Sequence, residues 1–125
     1  MPKKILVVDD EELLVKMVGL RLKANGYEVI SACDGKEGLA KAKEESPDLI
    51  ILDVMMPGMD GYKVCGLLKK DTRFAKIPVI MFTAKAQVDD KKIGEEVGAN
   101  AYITKPFDPQ VLLAKIKELL GESKT

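Results

Sequence analysis

The sequence predicts an α/β fold: a doubly wound, five-stranded parallel sheet in the order 2-1-3-4-5. Three observations predict it. Short apolar runs alternate regularly with segments of helical periodicity, which calls for right-handed crossovers and a sheet covered on both faces. Ile5-Leu6-Val7-Val8 and Leu49-Ile50-Ile51-Leu52 are rich in β-branched residues and lack polar alternation, as strands buried on both faces do. Each of these two runs leads straight into acids, Asp9-Asp10 and Asp53. Neighbouring parallel strands would therefore gather three carboxylates in one crevice.

The first strand is Ile5–Val8. A helix follows from Glu11 to about Ala24, with Leu14, Met17, Val18 and Leu22 on its apolar face. Asn25-Gly26 ends it as a left-handed cap. Tyr27–Ala32 is the second strand, and its interspersed Glu28 and Ser31 suit a sheet edge. Asp34-Gly35 turns the chain into a second helix, Lys36–Glu45, closed by Ser46-Pro47. Leu49–Leu52 is the third strand, and the loop Val54–Met59 after it carries the turn signal Pro57-Gly58. Asp60 caps a third helix through about Lys70. Pro78 leads into the fourth strand, Val79–Phe82. A charged helix over about Ala86–Val97 has only a sparse apolar stripe, Ala86, Ile93 and Val97, which suits a movable element. Ala101–Thr104 is the fifth strand. The last helix, about Pro109–Leu120, is capped by Asp108, carries Val111, Leu112, Ile116, Leu119 and Leu120, and stops at Gly121. The first, third and fourth strands are the most apolar and take the centre. The resulting plan is a flavodoxin-like (βα)5 sheet with a topological switch between the first and third strands, where ligands bind beyond the carboxyl ends.

The 125 residues form one domain, residues 1–125, with a short polar tail over 121–125. A chain of this length buries enough surface to fold without a disulfide or structural metal. Lys plus Arg and Asp plus Glu number 20 each, so there is no basic excess for direct nucleic-acid binding. No apolar stretch is long enough to span a bilayer, so no membrane partner is expected. Met1-Pro2-Lys3-Lys4 enters a strand directly, without a signal peptide. Cys33 and Cys65 lack metal or redox spacing and read as two reduced, partly buried thiols of a cytoplasmic protein. The absence of histidine excludes a His-metal site and a phosphohistidine.

Four strands offer polar residues at the carboxyl edge: Asp9 and Asp10, Asp53, Thr83, and Lys105. Gathered acids repel and resist ionisation until a cation arrives. The run Asp9-Asp10-Glu11-Glu12 would repel a bare phosphate, so a flavin mononucleotide cradle is disfavoured. Mg²⁺ suits the site, since it prefers oxygen ligands and keeps several waters, and Mn²⁺ is an acceptable substitute. Asp10 and Asp53 would bind it directly and Asp9 through water. Lys105 and Thr83 would hold further phosphoryl oxygens. Phosphoryl transfer needs little beyond an in-line nucleophile and such clamps, and Asp53 is the best nucleophile candidate.

Four segments in order, each ending a predicted strand, carry a resemblance: Val7-Val8-Asp9-Asp10-Glu11, Asp53 through Gly61, Phe82-Thr83-Ala84, and Lys105-Pro106-Phe107. Across essentially its whole length the chain resembles the receiver domain of two-component response regulators, single-domain chemotaxis regulators included. The strand order given above is already known for that family, so it is not independent support. The resemblance implies that Asp53 accepts a phosphoryl group from a histidine kinase. It implies that Asp9 and Asp10 form the acidic metal pocket and that the Met55 backbone carbonyl completes the protein ligands to Mg²⁺. It implies that Thr83 and Lys105 bind the phosphoryl group, that the Lys105–Pro106 bond is cis, and that Tyr102 and Thr83 form a switch. The chain is then a phosphoacceptor signalling protein, catalysing only its own phosphorylation and dephosphorylation. Its partner is a sensor histidine kinase, contacted by the first helix and the loops around the site. A phosphorylation-dependent homodimer through the Ala86–Val97 helix, the fifth strand and the last helix is a further implication. Two alternatives stay open: a receiver-like interaction module that is never phosphorylated, and an aspartyl-phosphate phosphotransferase. The second would usually carry a general-acid Asp two residues after the nucleophile, where this chain has Met55. The downstream target, or an attached output domain, is not legible.

Overall fold

The computed structural model describes residues 2–84 and 98–122. Five strands, β1 (Lys4–Val8), β2 (Glu28–Ala32), β3 (Leu49–Asp53), β4 (Val79–Ala84) and β5 (Ala101–Lys105), form one sheet in the order β2-β1-β3-β4-β5. Every neighbouring pair is parallel. Helices α1 (Glu12–Ala24), α2 (Gly35–Glu45), α3 (Gly61–Lys70) and α4 (Pro109–Leu119) connect and cover it. The sheet is the one read from the sequence, with the polar β2 at one edge. The helix expected over about Ala86–Val97 lies outside the described residues.

Period-two alternation divides the core into two layers. Leu6, Val8, Ile50, Leu52 and Met81 point towards α2 and α3, where they meet Ala42, Val64, Cys65 and Leu68. Ile5, Val7, Leu49, Ile51, Ile80 and Phe82 point the other way, onto Val18 and Leu22 of α1 and Leu112 and Ile116 of α4. Burying one such aliphatic side chain contributes about 1.5–3 kcal/mol, so the two layers fix the strand ends that carry the polar residues.

The helix starts divide in a way that matters for the site. Asp34, Asp60 and Asp108 each accept a backbone N–H from the first turn, from Glu37, Lys63 and Gln110 respectively. The start of α1 has no such cap: Glu11 occupies the N-cap position and makes no side-chain capping bond. Asp10 is thus not used as a cap.

Two sequence expectations are corrected. Met17 is about half exposed, at 51%. It immediately precedes the core residue Val18, and one helical step turns the side chain by about 100° away from the core. The thiols are not alike either: Cys65 is fully buried on the inner face of α3, whereas Cys33 is exposed in the turn after the edge strand. Among the described residues no helix is long and apolar enough to cross a membrane.

Candidate functional site

The register of the sheet decides which side chains meet. Val8 pairs with Leu52, so Asp9 and Asp53 leave adjacent strands side by side. Asp53 pairs with Phe82, Thr83 with Thr104, and Ala84 with Lys105. The backbone continues the sheet slightly beyond these pairs, with Asp9 N–H donating to Ala32 O at 3.1 Å and Val54 N–H to Phe82 O at 3.0 Å. All four polar strand ends therefore face the same edge.

Asp9, Asp53 and Thr83 are the buried polar residues among those described, with exposures of 2%, 5% and 2%. Asp10 is exposed beside them. One carboxylate oxygen from each of Asp9, Asp10 and Asp53 lies within 4.8 Å of the others. Among the described residues this is the only group of three or more acids or thiols close enough to share an ion. Lys105 reaches across from β5: its Nζ is 3.0 Å from Asp9 Oδ2, 3.2 Å from Asp53 Oδ1 and 3.6 Å from Glu11 Oε1. The contact with Asp53 is a hydrogen bond. Asp9 Oδ1 accepts the Glu11 N–H at 2.9 Å. Asp9 Oδ2 is buried and meets Lys105 as an ion pair, and among the described residues no hydrogen bond reaches it. The Lys105–Pro106 peptide bond is cis.

Among the described residues one ammonium serves several acids here, and the titration behaviour follows. Burial, and then the neighbouring Asp9 charge, raise the Asp53 carboxyl from 3.8 to about 6, against the pull of Lys105 and of the Met55 N–H. Burial also raises Asp9, opposed by the Glu11 N–H and by Lys105. Burial on its own would lower Lys105, but Asp9 and Asp53 outweigh it and hold the ammonium above its usual range. The donor set is all oxygen, and among the described residues it is under-compensated in charge and includes a buried carboxylate oxygen without a hydrogen bond. These residues fit a hard divalent cation such as Mg²⁺.

Met55 follows β3, while Thr83 and Tyr102 lie on β4 and β5. The Met55 side chain is exposed, while its N–H acts on Asp53. Tyr102 is half-buried on β5, pairs with Met81 and packs against the α2–α3 layer of the core. Thr83 and Tyr102 both line a groove that also includes Ile103, Pro106 and Val111. A second groove, between α1 and the residues after β5, is lined by Glu11, Leu14, Met17, Arg21, Lys105 and Phe107. Leu13 and Leu20 stand exposed on the same helix. Sequence reasoning gave Glu11 no role beyond its motif, although it both fixes Asp9 through its N–H and approaches Lys105; its adjacency to Asp9-Asp10 was the available signal. It also gave none to Gly61, where a methyl group would lie 2.1 Å from the Asp53 carbonyl oxygen.

The comparisons with known proteins agree with this geometry. The family model of the response regulator receiver domain matches residues 5–117. The alkaline phosphatase synthesis transcriptional regulatory protein PhoP of Bacillus subtilis is 49% identical over 123 residues, which are 98% of this chain and 50% of that protein. The DNA-binding dual master transcriptional regulator RpaA of Synechocystis is 46% identical over 117 residues, 94% of this chain and 48% of that protein. The chain spans about half the length of the curated relatives it matches. Among solved structures, a putative response regulator from Chloroflexus aurantiacus superposes with a TM-score of 0.92 at 38% identity, covering 98% of this chain and 100% of that one. The chemotaxis protein CheY4 of Vibrio cholerae gives 0.89 at 36% identity, covering 95% and 99%. Motifs, sheet order and relatives converge: the chain belongs to the response regulator receiver domain family of two-component signalling.

Proposed function

We propose that Asp53 is the phosphoacceptor of this receiver and that a sensor kinase's phosphohistidine is its donor. The observation that carries the reading is the buried Asp53 carboxylate, hydrogen-bonded to Lys105 and within 4.8 Å of Asp9 and Asp10. An oxygen of Asp53 attacks phosphorus in line. The new P–O bond forms as the P–N bond to the kinase imidazole breaks, and the imidazole keeps the electron pair and takes a proton. At neutral pH Asp53 is mostly ionised, because about 6 is still below 7, so no base is required. Lys105 holds one phosphoryl oxygen and Thr83 another. Asp10, Asp53 and the Met55 carbonyl would hold Mg²⁺ or Mn²⁺, with Asp9 engaged through water. When bound, the cation supplies the positive charge that lets acids and phosphoryl oxygens share the pocket. Thr83 then moves towards the phosphoryl group and Tyr102 turns into the space it leaves, which changes the surface for partner binding. The exposed Leu13 and Leu20 beside the α1 groove give the kinase's helical domain an apolar surface next to Lys105.

Labelling with acetyl phosphate and Mg²⁺, read as acid-labile phosphate by mass spectrometry, tests the assignment. Asp53→Asn should take up none, and chelating Mg²⁺ should stop wild-type labelling without unfolding the chain. Normal uptake by Asp53→Asn would remove Asp53 from the role.

A further inference from the structure

The loop between β3 and α3, residues 54–60, is held at three places. At its base the Gly61 N–H donates to Val54 O at 3.0 Å. In its middle Met56 is buried in the core beside Val54. On its far side stands Gly35, the first residue of α2, and a methyl group there would lie 2.3 Å from Met59 O and 3.0 Å from Val64 Cγ2. No real Cβ sits that close to a carbonyl oxygen, so the backbone would have to move. Gly35 does not have a positive φ; space, rather than a left-handed backbone, is what demands glycine.

The helix behind this contact is itself fixed. Asp34 accepts the Glu37 N–H at 2.7 Å. Gly38 lies against Val8, where a methyl would be 2.7 Å from Val8 Cγ1. A strut locked to β1 thus abuts a loop whose other end carries Met55, two residues beyond Asp53. We propose that Gly35 is a positioning residue for the acidic pocket: by abutting Met59 it sets the 54–60 loop, and with it the Met55 backbone carbonyl that would hold a cation. The inference rests on the reading of Asp53 and Met55 given above.

Gly35→Ala tests it, with Val18→Ala as the control. Val18 is fully buried in the opposite core layer, so that variant loses stability far from the loop. Mg²⁺ is titrated into each unphosphorylated protein and followed by backbone amide resonances; phosphate uptake from acetyl phosphate is measured alongside. Gly35→Ala should shift the Met55 and Asp53 amides before Mg²⁺ is added and, by displacing the backbone that supports a ligand, weaken Mg²⁺ binding by about tenfold. Val18→Ala should do neither. Unmoved amides with wild-type Mg²⁺ affinity would overturn the inference, as would equal weakening by Val18→Ala. A Gly35→Ala chain that fails to fold would overturn it too, because the loop and not the sheet is required to yield. Should the wild-type protein take up no phosphate at Asp53, the underlying reading fails, while the amide shifts still judge Gly35 by themselves.

Discussion

Asp53→Asn should stabilise the metal-free protein at neutral pH and change it little in acid. Burial and the Asp9 charge raise the Asp53 carboxyl from 3.8 to about 6. Keeping it ionised therefore costs the fold about 3 kcal/mol relative to an unfolded chain. Between about pH 4 and about pH 6 the folded chain holds a proton that the unfolded chain has lost, so stability falls as pH rises through that window and the whole cost is present above it. Asn fills nearly the same volume without the charge, but it gives up the charge-assisted 3.2 Å bond from Lys105, which offsets about 1 kcal/mol. The net gain is about 2 kcal/mol, or about 8 °C in Tm for a chain of this size. Urea unfolding followed by circular dichroism in EDTA, at about pH 8 and about pH 4.5, measures it. The two proteins should differ at the higher pH and converge at the lower, and saturating Mg²⁺ should narrow the gap by stabilising the wild type. An Asn variant less stable at high pH, or a gap of the same size at both values, would refute the picture of acids held together at a cost.

Two further outcomes are expected. Lys105→Ala should fold but take up phosphate from acetyl phosphate about 10²-fold more slowly if, as proposed, Lys105 is a preorganised donor to the phosphoryl group; single-turnover labelling at saturating Mg²⁺ checks this, and an unchanged rate would remove Lys105 from the chemistry. Tyr27→Phe should lower Tm by about 4 °C, because the hydroxyl donates to Glu122 Oε1 at 2.5 Å from a nearly buried position, while leaving labelling unchanged. Burial and Glu122 hold that hydroxyl above its usual 10.0, so the wild-type advantage should be full below about pH 10 and disappear as pH climbs towards the raised folded value.

The sheet and most of the pocket were legible because they depend on short-range pattern. A buried parallel strand must be apolar throughout, so the residue that breaks each run, Asp9, Asp53 or Thr83, marks a carboxyl end. Lys105 was legible for the same reason, although it meets Asp53 across two strand boundaries. What the pattern left open depends on distances between elements. Which of Asp9 and Asp10 is buried follows from where α1 begins. Glu11 joins Lys105 only through the direction its side chain takes. The contact between Gly35 and Met59 needs α2 and the loop brought together, and Asp34-Gly35 alone looks like any turn. Met17 was misread because an apolar stripe on a helix is wider than the face that is covered.

The order in which the pocket's charges occur along the chain has a consequence for biosynthesis. Its acids come from residues 9, 10 and 53, but the ammonium that tempers them arrives with residue 105. Among the described residues, the carboxylates of β1 and β3 gain their ammonium partner only when the final strand docks. The pocket with its ammonium in place is therefore completed last, and a fragment ending before β5 would lack that contact.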